Sequence, residues 1–141
     1  MIGIFDSGVG GLSIWREVAA RLPRADIIYL ADNGVFPYGS RPPDVVRSRS
    51  EQITRELVRR GAHLVVVACN TATVTAIGRL RAAFEIPFVG VEPPVKVAAR
   101  SGGGRIVALM TANTAGGRKY LDLLDAWAAG RAVTGVSLDL L

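Results

Sequence analysis

Residues 63–73 read HLVVVACNTAT. Five apolar residues, Leu64 to Ala68, run straight into Cys69, Asn70, Thr71 and Thr73. A short β-branched run without polar alternation predicts a strand buried on both faces, the habit of parallel sheets. Asn70 and Thr71 carry side-chain oxygens suited to capping the helix that should follow. Cys69 is therefore expected at the carboxyl end of a central strand, beside a helix N-terminus. Open α/β sheets take their ligands at such ends, and a thiol placed there has its pKa lowered toward reactivity.

Working outward, the same alternation recurs. Residues 1–5 form an apolar strand, Asp6-Ser7-Gly8-Val9-Gly10-Gly11 a glycine-rich turn, and residues 12–22 a helix. Leu12, Trp15, Val18, Ala19 and Leu22 share one face of that helix, and Pro23 closes it. Residues 27–31 are a second strand, and the loop 33–42 carries Phe36-Pro37-Tyr38-Gly39. Pro43 and Asp44 open a long helix that ends at Gly61, with Val46, Ile53 and Leu57 inward. The helix after Cys69 should run to about residue 85 with Val74, Ile77, Leu80 and Phe84 inward. Then come a strand over 87–91, a short helix over 95–100 and the linker Ser101-Gly102-Gly103-Gly104. A strand over 105–110, a helix over 115–129 with Leu121, Leu124 and Trp127, and a strand over 133–138 complete the pattern. Strand and helix in alternation mean an α/β fold, an open parallel sheet with helices on both faces. Residues 1–100 are expected to form one such domain, and residues 101–141 the incomplete beginning of a second, similar one.

Composition bounds the function. The 141 residues suit about one domain with a real core. The net charge of +5 comes from fifteen arginines and two lysines scattered over several segments with little aromatic interleaving, a pattern of solvated side chains that makes nucleic acid an unlikely partner. No apolar run approaches the roughly 20 residues of a membrane helix, so no membrane partner is expected. The opening MIGIFDSG lacks the basic region of a secretory signal. Cys69 is the single cysteine, which excludes an intrachain disulfide and fits a reducing cytoplasm.

Asp6 and Ser7, Asp32, Cys69 and Asn70, Glu92, and Thr111 all follow apolar strands. In a parallel sheet those ends share one edge, so the polar groups are expected to converge on one crevice. The glycine turn is not a dinucleotide fingerprint, because Ser13 stands where the third glycine belongs, and no P-loop lysine exists. What remains is a set of backbone N–H groups and Ser7 suited to an anion such as a carboxylate. His63 begins the strand that Cys69 ends, roughly 20 Å away, which excludes a Cys–His protease pair and the usual zinc sites. Tyr38 has two readings, a cover over a ligand or a packing residue.

Asp6-Ser7-Gly8-Val9-Gly10-Gly11-Leu12, Pro37-Tyr38-Gly39 and Ala68-Cys69-Asn70-Thr71-Ala72, followed by Val91-Glu92-Pro93 and Lys96, together resemble the glutamate racemases, over roughly the first 115 residues. The resemblance implies a cofactor-independent isomerase that interconverts L- and D-glutamate for peptidoglycan synthesis, with one cysteine on each side of the substrate α-carbon. It implies a catalytic role for Cys69. It further implies that Asp6, Ser7, Tyr38, Gly39, Asn70 and Thr71 hold the amino acid, with Thr111 and Thr114 adding contacts from the second domain. The family's second cysteine, in a Cys-Thr-His-type motif, is not among these residues, which implies a truncated racemase. A homo-oligomer would be the means of bringing two copies of Cys69 together. The alternative is a catalytically inactive binding module, with DNA gyrase as partner, since some members of the family restrain that enzyme.

Overall fold

The apolar runs pair as their burial demands. In the computed structural model, which describes residues 1–102, 104–128 and 130–137, β1 (Ile2–Asp6), β2 (Ile27–Ala31), β3 (Leu64–Val67) and β4 (Phe88–Gly90) form a parallel sheet in the order β2-β1-β3-β4. Phe5 pairs with Leu30 on one side and Val67 on the other. Val65 and Val67 are fully buried, and burying each contributes about 1.5–3 kcal/mol.

The crossover helices are α1 (Leu12–Arg21), α2 (Pro43–Arg59) and α3 (Asn70–Ala83). The chain leaves β1 toward β2 on one side and later returns to place β3 on the other, so right-handed crossovers put helices on both faces. Strand order reverses between β1 and β3. Ligands bind open α/β sheets outside the carboxyl ends of the strands at such a reversal.

α2 buries Val46, Ile53 and Leu57 as its periodicity predicts, together with Ser50, Glu51 and Thr54. The two hydroxyls are satisfied inside the helix, Ser50 donating to the Val46 carbonyl and Thr54 to the Ser50 carbonyl, both at 2.8 Å. α1 departs from expectation. It contains no fully buried residue, and Leu12, Trp15 and the following Leu22 stay substantially exposed, because the face they share meets little but β2.

After α4 (Val95–Arg100), a second, two-stranded parallel sheet is formed by β5 (Arg105–Met110) and β6 (Ala132–Ser137). The expected single helix over 115–129 is instead two, α5 (Ala112–Ala115) and α6 (Arg118–Trp127), broken at Gly116 and Gly117. Leu121 and Trp127 are exposed, whereas Tyr120, Met110, Val95 and Ala128 form a small core to which Val74 of α3 also packs. Gly103 of the expected linker, residue 129 of the expected helix and residue 138 of the expected last strand lie outside the described residues. Among the described residues no helix is long and apolar enough to cross a membrane.

Candidate active site

Register brings the pieces of the site together. The Ala68 N–H donates to the Phe5 carbonyl at 2.8 Å, so the residues after β1 and those after β3 emerge side by side. Asp6 closes the turn that follows: its Oδ1 accepts from the Ser7 N–H and its Oδ2 from the Gly11 N–H, each at 2.8 Å. A Cβ at Gly11 would stand 2.8 Å from Asp6 Cβ, 2.9 Å from Ala68 Cβ and 2.9 Å from the Tyr29 hydroxyl, so the close approach of turn and strand requires glycine there. Beneath the turn the Tyr29 hydroxyl donates to the Gly8 carbonyl at 2.7 Å. Burial first, then the nearby charges of Asp6 and Cys69, push the Tyr29 phenol up to about 12.

Cys69 itself caps α3. Its Sγ accepts the Ala72 N–H at 3.4 Å, the part assigned from sequence to Asn70 and Thr71, and its thiol lies 3.7 Å from the Ser7 hydroxyl, toward which it donates. The thiol is buried. Burial pushes its pKa up, and the Asp6 carboxylate adds to the rise; the Ala72 N–H and the contacts with Ser7 oppose it without reversing it. The expected lowering by the helix N-terminus is thus overturned: desolvation outweighs the N–H donors.

From the second sheet, Thr111 caps α5, its Oγ1 accepting the Thr114 N–H at 3.2 Å. The hydroxyls of Thr71, Thr111 and Thr114 form a hydrogen-bonded triangle with sides of 3.0, 3.2 and 3.0 Å. All three residues are buried. Together these elements border a cleft of about 700 Å³ lined by Asp6, Ser7, Gly39, Cys69, Asn70, Thr71, Thr111 and Thr114, with Val107 and Leu109 of β5 among its apolar surfaces.

Three sequence expectations fall outside the cleft. The Tyr38 side chain is buried and donates its phenol to Asp32 Oδ2 at 2.7 Å, which is the packing one of its two readings. Asp32 is committed to that phenol and to Arg49, whose Nε and Nη2 donate to its two oxygens at 3.0 and 2.6 Å. Burial is the largest influence on Asp32 and opposes ionisation, yet the Arg49 and Tyr38 hydrogen bonds together hold its carboxyl below the usual value. Glu92 pairs with Lys119 at 2.7 Å, and Lys96 stacks over Trp127.

Sequence reasoning missed Arg49 and Asn113. The Asn113 Nδ2 donates to the carbonyls of Tyr38 at 2.9 Å and Arg41 at 2.6 Å, tying α5 to the loop 33–42. No local signal marks either residue, since each acts on atoms far away in the chain.

Residues 12–137 match the family described as Asp/Glu/Hydantoin racemase. The chain belongs to that racemase family. Among its relatives, the glutamate racemase of Roseiflexus sp. is 48% identical over 92% of this chain, and that of Pseudomonas paraeruginosa 45% identical over 91%. The Escherichia coli glutamate racemase solved with L-glutamate and the activator UDP-MurNAc-ala superposes with a TM-score of 0.89 at 36% identity over 96% of this chain. The Aquifex pyrophilus enzyme superposes with a TM-score of 0.85 at 35% identity, also over 96%. This racemase-family chain spans about half the length of these proteins: 48% and 49% of the two relatives, 52% and 54% of the two structures.

Proposed function

We infer that the chain carries the Cys69-bearing half of a glutamate racemase site, acting on glutamate by thiol acid/base chemistry, with residues 1–100 as the first domain and 101–141 as the start of the second. The observation that supports this most is the meeting of Cys69, the Asp6-Ser7 turn and the Thr71–Thr111–Thr114 hydroxyls in one cleft at the switch between β1 and β3. Its kinship with proteins called glutamate racemases points to the substrate.

In this reading the Asp6 carboxylate receives the substrate ammonium, while Ser7, Gly39, the backbone of Tyr38, Asn70 and the threonine hydroxyls hold the carboxylates. The ammonium also offsets part of the rise in the thiol pKa: burial is its main cause, and a cation between Asp6 and Cys69 cancels the carboxylate charge that adds to it. The thiolate then removes the α-proton, the S–H bond forming as the C–H bond breaks. The resulting carbanion, far too basic to form unaided, is stabilised by the fixed donors around it.

Inversion needs a proton donor on the opposite face, and Cys69 is the single thiol of these 141 residues. The chain by itself should therefore return the proton to the face it came from. In deuterated water one enantiomer of glutamate should exchange its α-proton without inversion, as read by proton NMR and chiral chromatography. That exchange should vanish in Cys69→Ala. Exchange that survives the substitution, or a wild-type chain that exchanges neither enantiomer, would refute the reading.

A further inference from the structure

We propose that Arg49 and Asn113 are positioning residues that grip the loop 33–42, one through the Tyr38 phenol and the other through the loop backbone, and hold Gly39 at the edge of the cleft. The inference rests on the glutamate reading above for what the cleft takes, but the grip itself is geometric.

The first grip is on the phenol. Arg49, from α2, donates two hydrogen bonds to Asp32, and Asp32 accepts the Tyr38 hydroxyl. Two-pronged guanidinium–carboxylate pairs fix orientation as well as distance, so the carboxylate presents Oδ2 to the phenol in one direction only. Asp32 and Tyr38 are both buried, and an anion there without its cation would be strongly disfavoured. Tyr38 cannot move without breaking this chain of contacts, and Gly39 is its neighbour.

The second grip is on the backbone. Asn113 spends both amide hydrogens on the same loop, bracketing Gly39 between the carbonyls of Tyr38 and Arg41. Asn113 lies between Thr111 and Thr114, whose hydroxyls reach Thr71. The side of the cleft made by the second sheet and the side made by the loop are therefore set by one short helix, α5. Arg41 adds a local brace, its Nε donating to the Val35 carbonyl at 3.0 Å. Arg49, Asp32, Asn113 and Arg41 do not line the cleft, so their influence on its loop side runs through Gly39.

The test uses the full 141-residue chain, nitrogen-15 labelled, with two readouts: the Gly39 amide resonance, and titration with L-glutamate. Arg49→Ala and Asn113→Ala should each displace the Gly39 resonance before any ligand is added, speed its hydrogen exchange and weaken L-glutamate about tenfold or more. Arg49→Lys keeps the charge without the fork and should fall between wild type and Arg49→Ala; it also carries the test if the alanine variant does not fold. Arg55→Ala breaks the neighbouring Arg55–Glu51 pair on the same helix and should leave Gly39 where it is. The double variant should lose less than the sum of its parts, because both grips act on one loop. An unmoved Gly39 in Asn113→Ala and in the folded Arg49 variants would overturn the proposal. If the wild-type chain takes no glutamate, the substrate reading fails, yet the resonance still decides the grip.

Discussion

Cys69 owes its chemistry to what covers it. The thiol caps α3 and rests on Ser7, with the Asp6 carboxylate nearby, and burial in that setting raises its pKa above the ordinary 9.0. The sign for stability follows: the folded chain holds the proton more tightly, so this contribution is complete below the ordinary thiol value and is lost as pH rises through the folded one. Alkylation by iodoacetamide should accordingly show a midpoint above pH 9 in the folded chain and an ordinary one in denaturant. A folded midpoint at or below the denatured value would contradict the burial argument. The position of this cysteine was legible in HLVVVACNTAT, because an apolar run followed by capping residues has few other readings. Its proton affinity was not, since desolvation depends on Ser7 and Asp6 arriving from residues 62 and more positions away.

At the scale of elements, the turn between β1 and α1 is the least forgiving piece. Gly11 has no room for a methyl group between Asp6, Ala68 and Tyr29, and overpacking of this kind costs about 1–3 kcal/mol. Gly11→Ala should lower the unfolding free energy read from urea titration by that much, whereas Gly34→Ala, with nothing within 4 Å of its added Cβ, should change it by less than about 0.5 kcal/mol. Strands and long helices were readable from apolar periodicity, as at Val46, Ile53 and Leu57. The break between α5 and α6 had a local signal, Gly116-Gly117, outweighed by the helical spacing around it. The face of α1 misled for a different reason: periodicity reports which residues could be buried together, and Leu12, Trp15 and Leu22 find too little here to bury them. Convergence at the strand ends was half legible. Asp6, Ser7, Cys69, Asn70 and Thr111 do meet, but Asp32 and Glu92 are drawn off by Arg49 and Lys119, partners no local pattern announces.

Across the whole molecule the two sheets differ in how well they are protected. The four-stranded sheet is backed by a core that includes Phe5, Leu57, Val65, Val67, Ala72 and Leu80. Among the described residues the two-stranded sheet has a small core on one face, and Val107 and Leu109 on its other face are exposed. Local opening is easiest where few apolar groups are buried. Amides of β5 and β6 should therefore exchange with deuterium well before those of β1 and β3, and equal protection of the two sheets would argue against this uneven stability. The strand order carries one more consequence. β1, at the interior of its sheet, is made first, and its neighbours β2 and β3 follow it, with β4 then joining β3. Every partner that the first sheet needs has been synthesised by residue 90, before either strand of the second sheet. The strand that leads into Cys69 can thus find its sheet partners before the second sheet exists, and the threonines of α5 reach Thr71 only afterwards.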